Sequence, residues 1–429
     1  MDRKELIKRI LADWQEAISG KSLFERDVSI PPLAQKYITT VIGPRRSGKS
    51  SLLQLGARNW TKKYPKTPAL YINFEDERLD HTTEELELIL ECYREMYPHA
   101  VPESTAFFFD EIQIVPKWEK FVRRCHEIEK ATVTVSGSNS KALSTDIATS
   151  LRGRTLNIKV LPLSFQEIWN LKTSGAPYPT TSRQRAQALN IMREYFLFGG
   201  FPDVVLEENP RLKTQILQEY FQVMIFKDLV ERFNIQQISS LKFFLKRLLA
   251  STARPFSVNK IYNEIKSSGL HFSKDKAYEF LDHAINCFFV APIEQYSKKV
   301  VHKDLGEKKI FPIDIGYVAA VLGNHDATKS LEWAVFLDSV RRGVQVNFYK
   351  GKNECDFILS DGDSKLKAIQ VAYSLKDKDT EKREYRGLLE ACSDLKIKGG
   401  TIITAEENGS NKVEDIKIEN IEFLKLTFS

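Results

Sequence analysis

The sequence predicts an α/β protein of several domains that begins with a parallel sheet flanked by helices. Apolar strand-like segments alternate with helical segments up to about residue 164, which is typical of strands joined by crossover helices. A glycine-rich loop joins the first of these strands to a helix. The chain has 429 residues, which is too long for a single hydrophobic core and indicates two to four domains.

The elements of the first sheet follow from hydrophobic periodicity. Leu6, Ile10 and Trp14 recur at helical spacing and predict an amphipathic helix before the sheet. Core strands are then predicted at residues 37–42, 69–74, 105–111 and 132–136.

The glycine-rich loop at residues 43–50 matches the phosphate-binding pattern G-x-x-x-x-G-K-[ST] at every fixed position. Its glycines let the backbone fold around phosphate, so that N–H groups and a helix N-terminus face the anion. Lys49 is predicted to reach the β- and γ-phosphates, and the Ser50 hydroxyl to bind Mg²⁺. The predicted nucleotide-binding residues are Gly43, Pro44, Arg45, Arg46, Ser47, Gly48, Lys49, Ser50 and Ser51. We therefore expect binding of a nucleoside triphosphate.

Two acidic residues, Asp110 and Glu111, end the third predicted strand. In that position Asp110 is expected to hold Mg²⁺, and Glu111 to orient and polarise the attacking water. Acids at strand ends also occur on solvated rims, but the phosphate loop upstream favours the catalytic interpretation. The chain is therefore expected to hydrolyse the nucleotide as well as bind it.

Two further catalytic residues are predicted beyond the fourth strand. Asn139, or its neighbour Ser138, either contacts the γ-phosphate or the water, or caps the turn. Arg154 is a candidate for stabilising transition-state charge, within the chain or across a subunit interface. Arg123 and Arg124 are rival candidates, and any of these arginines could instead pair with surface carboxylates.

Four domains are predicted: a phosphate-loop core (1–170), a helical lid (171–235), a winged-helix domain (236–321) and a C-terminal α/β domain (322–429). The winged-helix prediction comes from successive helical segments followed by two strand-like segments. Lys274 and Lys276 lie at the exposed start of its recognition helix. The hairpin carries the basic residues Lys298, Lys299, His302, Lys303, Lys308 and Lys309. This basic wing suits DNA phosphates, although winged helices also serve as packing or protein-binding modules.

The order of elements in the last third resembles the core of the PD-(D/E)xK nuclease fold. Glu332 and Asp356 match its helix glutamate and strand aspartate. Where that family has an acid-x-Lys, this chain has Gln370 and Ala372, so one metal ligand is neutral and the lysine is missing. We therefore expect a degenerate centre without nuclease activity.

Taken together, the chain resembles AAA+-like bacterial and archaeal ATPases that carry a C-terminal domain of unknown function. The resemblance covers nearly the whole chain and implies ATP binding and hydrolysis. The matching segments are residues 43–50, 71–76, 109–113, 136–138, 151–154, 161–165, 198–202 and the block around 355–371.

Composition limits the partners, metal sites and cellular location that can be expected. A net charge of +6 is compatible with nucleic acid without deciding for it. Five scattered cysteines without a C-x-x-C pair argue against a zinc site and against secretion. The absence of a signal-peptide core or a long apolar run predicts a cytoplasmic location without membrane contact.

Two functions remain open after these observations. One is an ATP-driven switch or remodeller that acts on DNA or on a DNA-bound partner. The other is a regulatory scaffold whose ATPase cycle gates protein contacts of the C-terminal domain, with no nucleic acid involved. The partner protein and the oligomeric state stay open.

Overall fold

A computed structural model describes residues 2–30, 36–101, 104–137, 155–270, 273–297, 307–360, 365–413 and 416–428. The chain divides into two compact units, Met1–Leu161 and Pro162–Ser429. The predicted α/β class is confirmed, because the first unit contains a five-stranded sheet and the second a nine-stranded sheet. Within the described residues, every helix is too short or too polar to span a lipid bilayer.

The first unit begins with the predicted amphipathic helix and continues with alternating strands and helices. Its elements are α1 (Arg3–Gly20), β1 (Ile38–Ile42), α2 (Lys49–Lys63), β2 (Leu70–Asn73), α3 (Thr83–Met96), β3 (Ala106–Asp110), α4 (Trp118–Glu127), β4 (Thr132–Gly137) and β5 (Thr155–Lys159). The strands are parallel and lie in the order β2-β3-β4-β1-β5. The carboxyl ends of β1 and β3 therefore meet at one edge of the sheet, on either side of β4.

Side chains along β3 alternate between two apolar layers, as the two-residue period of a strand requires. Phe107 and Phe109 pack into the layer that contains residues of α1, α3 and α4. Ala106 and Phe108 pack into the opposite layer with residues of α2. Helices thus cover both faces of the sheet, which explains why β3 reads as a continuous apolar run.

The second unit opens with helices and then enters the segment predicted as a winged helix. Its first elements are α5 (Phe165–Thr173), α6 (Ser182–Phe198), α7 (Pro202–Leu206), α8 (Pro210–Val223), a π-helical segment (Met224–Glu231), α9 (Ile238–Ala250), β6 (Pro255–Phe256), α10 (Val258–Ser267), α11 (Lys274–Asn286), β7 (Val290–Gln295) and β8 (Lys308–Pro312). Helices α9 to α11 and the antiparallel pair β7–β8 occur in the order that the sequence predicts.

The rest of the second unit is α/β, as expected. It consists of α12 (Gly316–Leu322), α13 (Ala327–Arg341), β9 (Gln345–Lys350), β10 (Glu354–Ser360), β11 (Leu366–Val371), α14 (Lys378–Leu395), β12 (Gly399–Thr404), β13 (Gly409–Val413), β14 (Ile416–Glu422) and α15 (Phe423–Phe428). Strand β7 pairs in parallel with β9, so the hairpin and the C-terminal strands form one continuous sheet. The sequence did not predict this continuity, and the domain boundary after residue 321 remains a proposal.

A buried aspartate holds the turn between α6 and α7. The backbone N–H of Gly200 donates a hydrogen bond of 2.7 Å to Asp314 Oδ2, and the N–H of Gly316 donates one of 2.9 Å to Asp314 Oδ1. A Cβ on Gly199 would lie 1.7 Å from Asp314 Oδ1, so this position requires glycine. Burial raises the pKa of Asp314 to about 7, even though these hydrogen bonds oppose the shift.

Candidate functional site

The phosphate loop lies between β1 and α2, and two of its positions can hold only glycine without strain. Gly48 caps α2 with φ at 98°, a left-handed conformation that other residues adopt at a cost. A Cβ on Gly43 would lie 2.1 Å from the Val160 carbonyl oxygen of the neighbouring chain segment. Both glycines of the sequence pattern are therefore explained by backbone geometry in this structure.

The inner surface of the loop offers a donor that fits a phosphate oxygen. Ser47 Oγ is buried and has no hydrogen-bond partner among the described residues. A buried hydroxyl without a partner costs about 1–3 kcal/mol, which an anionic acceptor would recover. Arg26 stabilises the loop, because its guanidinium donates hydrogen bonds to the backbone carbonyls of Ser47 at 3.0 Å and Leu161 at 2.9 Å. Together with the N-terminus of α2, this arrangement fits a phosphate group.

Lys49 is buried at the start of α2 and points towards the acidic strand end. Its Nζ donates a hydrogen bond of 3.0 Å to the Pro44 carbonyl and lies 3.9 Å from Glu111 Oε1. The fold therefore brings together the lysine and the glutamate that the sequence separates by more than sixty residues.

Asp110 is fully buried at the end of β3 and is surrounded by hydroxyl donors. It accepts hydrogen bonds from Tyr71 at 2.8 Å and from Ser136, and the Ser50 side chain also donates to it. Burial raises the pKa of Asp110 and the charge of Glu111 raises it further, while the hydroxyls of Ser136, Ser50 and Tyr71 oppose the shift. A divalent cation next to Ser50 and Asp110 would compensate this buried charge, so the donor set fits Mg²⁺.

Glu111 follows β3 in an unusual backbone conformation. Its φ is 54°, in the left-handed region that costs a residue with a side chain about 1–2 kcal/mol. The Glu111 N–H donates a hydrogen bond of 3.1 Å to Ser136 Oγ, and Gln113 donates to Glu111 Oε2. Strained backbone that neighbouring groups hold in place is typical of functional positions.

Two predicted catalytic residues, Asn139 and Arg154, lie outside the described residues, as does Ser138. The rival arginines lie on α4, where Arg123 pairs with Glu127 at 3.6 Å and Arg124 pairs with Glu87. Both rivals therefore show the surface ion pairing that was the alternative to a catalytic role.

Sequence reasoning missed the supporting residues around Asp110. Tyr71 comes from β2, and Ser136 from β4, which lies beside β3. Each sits near the carboxyl end of a predicted strand, where polar side chains of parallel strands meet. Their position at strand ends was the feature of the sequence that could have indicated these two residues.

A second polar centre lies in the C-terminal sheet and corrects two sequence expectations. Lys309 belongs to β8, has no exposed surface, and therefore cannot contribute to a basic wing. Its Nζ lies 2.6 Å from Glu354 Oε1 and 3.2 Å from both Glu332 Oε1 and Asp356 Oδ1. The centre around Glu332 and Asp356 therefore does contain a lysine, which comes from a different strand than the acid-x-Lys pattern specifies.

The remaining groups of this centre already have protein partners. Asp356 Oδ2 accepts a hydrogen bond of 3.0 Å from the Val371 N–H. Gln370 Nε2 donates to Glu384 at 2.6 Å, and its Oε1 accepts from the Asp356 N–H at 3.2 Å. Burial raises the pKa of Glu332 and the charge of Asp356 raises it further, while Lys309 opposes the shift. The lysine ammonium thus lies among the carboxylates and offsets part of their negative charge, in the position where the resemblance to the nuclease fold would place a metal ion.

The parallel sheet, the phosphate loop and the paired acids at one sheet edge are typical of a P-loop domain of the AAA+ type. A family model described as an AAA domain matches residues 35–169. A second model, described as a domain of unknown function, matches residues 189–328.

Two relatives match the chain over most of its length. It is 32% identical over 426 residues to the uncharacterized protein MJ1544 of Methanocaldococcus jannaschii, covering 96% of this chain and 92% of the relative. The chain belongs to the same family as this archaeal protein. An uncharacterized protein of Haemophilus influenzae is 29% identical over 374 residues, covering 84% of this chain and 90% of that relative.

Solved structures give only a loose match. The Orc1 protein of Aeropyrum pernix in complex with DNA has 12% identity and a TM-score of 0.32, covering 76% of this chain and 93% of that one. AMPPCP-bound DnaA of Aquifex aeolicus has 14% identity and a TM-score of 0.25, covering 64% of this chain and 86% of that one. Superpositions at these scores are too loose to transfer a function.

Proposed function

We propose that this protein is a Mg²⁺-dependent ATPase. The observation that carries the proposal is the convergence of Lys49, Ser50, Asp110 and Glu111 at one edge of the parallel sheet. The match to an AAA domain supports it, and so does the buried Ser47 hydroxyl, which has no hydrogen-bond partner among the described residues.

Each side chain has a role that follows from its position. Lys49 places a positive charge against the β- and γ-phosphates, and Ser50 and Asp110 hold Mg²⁺. When bound, the metal ion neutralises charge on the phosphate oxygens. Glu111 orients and polarises the attacking water, and the hydrogen bond from Gln113 holds its carboxylate. Asn139 and Arg154 complete the proposal as the γ-phosphate sensor and the arginine that stabilises transition-state charge.

The test is ATP turnover and nucleotide binding by the full chain and its Lys49→Ala variant. Loss of the loop's main countercharge is expected to abolish both. Lys62→Ala is the matched control, because Lys62 is an exposed lysine on the same helix. Normal ATP turnover in Lys49→Ala would overturn the proposed site.

We further propose that ATP turnover drives a switch on DNA, or on a DNA-bound partner, through the segment 236–321. The exposed Lys274 at the start of α11 supports a contact with phosphates, as do the predicted basic residues of the hairpin other than the buried Lys309. Of these hairpin residues, Lys298, Lys299, His302 and Lys303 lie outside the described residues. Three or four such contacts would give log K a slope of about −3 to −4 against log salt. A flat salt response, or no DNA binding, would favour the alternative scaffold that acts on protein partners alone.

Phosphodiester cleavage is not part of the proposal. The ammonium of Lys309 lies among the carboxylates of Glu332, Glu354 and Asp356, and both Asp356 oxygens already accept hydrogen bonds. A divalent cation would have to displace the buried lysine and leave that charge without its partners, which is costly.

A further inference from the structure

A polar cavity of about 500 Å³ lies in the second unit, and neither Lys309 nor its carboxylate partners are among the residues that line it. Its walls come from the end of α9, the connection to β6, the start of α10, α12 and the start of α13. The volume lies within the range of roughly 300–1,000 Å³ that small-molecule sites occupy. The cavity is therefore large enough for a ligand, but its lining is charged rather than apolar.

Four cationic side chains line this cavity: Arg247, Arg254, Lys260 and Lys329. Of the carboxylates in the described part of the chain, Asp326 alone lines it, and its Oδ1 accepts hydrogen bonds from the backbone N–H groups of Thr328 and Lys329. The cavity wall therefore carries a clear excess of positive charge.

Three of these four cations have no ion-pair partner in the part of the chain that the structure describes. Arg247 pairs with Glu264 at 2.6 Å, whereas Arg254, Lys260 and Lys329 lie within ion-pair distance of no carboxylate among the described residues. Burial lowers the pKa of Lys329, and the neighbouring Arg254 lowers it further. Asp326 and Glu332 oppose this lowering only in part. Like charges held together in excess destabilise the folded chain, and an anionic ligand relieves that repulsion.

We propose that this cavity binds the phosphate groups of a ligand, with Arg254, Lys260 and Lys329 as the contacting side chains. A guanidinium matches two phosphate oxygens at once, and the two ammonium groups add point charges. The phosphates belong to a nucleic-acid strand or to a free nucleotide, because either presents this chemistry. The nucleic-acid source deepens the proposed action on DNA; the free-nucleotide source is independent of it.

The test uses the full chain in a Lys49→Ala background, so that the phosphate loop does not compete for the probe. Fluorescence anisotropy reports binding of a short labelled single-stranded oligonucleotide and, in a separate titration, of a fluorescent ADP analogue. The test variants are the double variant Arg254→Gln/Lys329→Gln and the single variant Lys260→Gln, whose position is exposed. Lys246→Gln is the matched control, because Lys246 is an exposed lysine on α9 outside the cavity. Thermal unfolding verifies that each variant is folded.

Loss of two charged contacts is expected to weaken binding of one probe at least about tenfold. Lys260→Gln is expected to weaken binding of the same probe by several-fold, and Lys246→Gln to change it by less than about twofold. Lost oligonucleotide binding identifies a nucleic-acid strand as the phosphate source, and lost binding of the ADP analogue identifies a nucleotide. Undiminished binding of both probes by the folded variants, or no binding of either probe by the parent, would overturn the proposal.

The failure of this proposal is distinguishable from a failure of the proposed ATPase. With Lys49 intact, the cavity variants are expected to hydrolyse ATP at the wild-type rate in the absence of DNA. A wild-type chain that does not turn over ATP would overturn the proposed ATPase and leave the cavity measurement unaffected.

Discussion

Replacing Glu111 by glutamine separates nucleotide binding from hydrolysis in this site. Glutamine keeps the size and shape of the side chain but removes its charge, and Asp110 stays beside Ser50. Loss of a positioned base is expected to slow ATP hydrolysis by about 10²-fold or more, which corresponds to about 3 kcal/mol or more in the activation free energy.

Nucleotide binding is expected to survive the same substitution, for reasons that the structure supplies. Glu111 Oε1 lies 3.9 Å from Lys49 Nζ, and an effective dielectric constant of about 20 gives an attraction of about 4 kcal/mol at that distance. This attraction competes with the phosphates for Lys49. The charge of Glu111 also raises the pKa of Asp110, so its removal favours the ionised aspartate that holds Mg²⁺. Binding should therefore stay the same or become tighter.

The assay combines phosphate release at saturating ATP and Mg²⁺ with titration of a fluorescent ATP analogue. Glu119→Gln serves as the control, because Glu119 is a glutamate on α4 outside the loop and the strand end. Normal turnover in Glu111→Gln would remove Glu111 from the proposed role. Loss of nucleotide binding in Glu111→Gln, with Glu119→Gln unaffected, would contradict the electrostatic reasoning.

Three further predictions concern the second unit. Lys309→Met should destabilise the unit by about 3–5 kcal/mol in urea unfolding, because it leaves buried carboxylates without their cation. Adding Asp356→Asn to this variant should restore part of the lost stability. A urea midpoint of Lys309→Met equal to that of the wild-type chain would refute the pairing. The pKa of Asp314 is raised to about 7 in the folded chain, so between about pH 4 and pH 7 the folded chain binds more protons than the unfolded chain. The contribution of Asp314 to the unfolding free energy should therefore fall as pH rises through that window, by up to about 4 kcal/mol. The melting temperature of Asp314→Asn should depend less on pH than that of the wild-type chain. An identical pH dependence of the two melting temperatures would be evidence against a role of this group. Supercoiled and linear DNA incubated with the protein in Mg²⁺ or Mn²⁺ should stay intact, whereas cleavage that disappears in Asp356→Ala would prove the centre active.

The nucleotide site could be predicted from the sequence because its chemistry is largely contiguous. Residues 43–50 carry the lysine, the hydroxyl and the glycines in one short run, and local geometry accounts for both glycines. The alternation of apolar strands and helices placed Asp110 and Glu111 at the same sheet edge as the loop, because parallel strands present their carboxyl ends together. The residues that support Asp110 required knowledge of which strands are neighbours.

The lysine centre of the second unit could not be predicted in the same way. Hairpin position suggested that Lys309 was an exposed basic residue, and the acid-x-Lys pattern suggested that the centre contained no lysine. Both expectations were wrong because β7 pairs with β9, which joins the hairpin to the C-terminal sheet and brings β8 close to Glu332 and Asp356. Pairing between strands about fifty residues apart depends on long-range packing, which the periodicity of the sequence does not predict. The sequence by itself therefore determined the contiguous phosphate loop and the fold class, whereas only the tertiary structure decided which distant charges share a buried site.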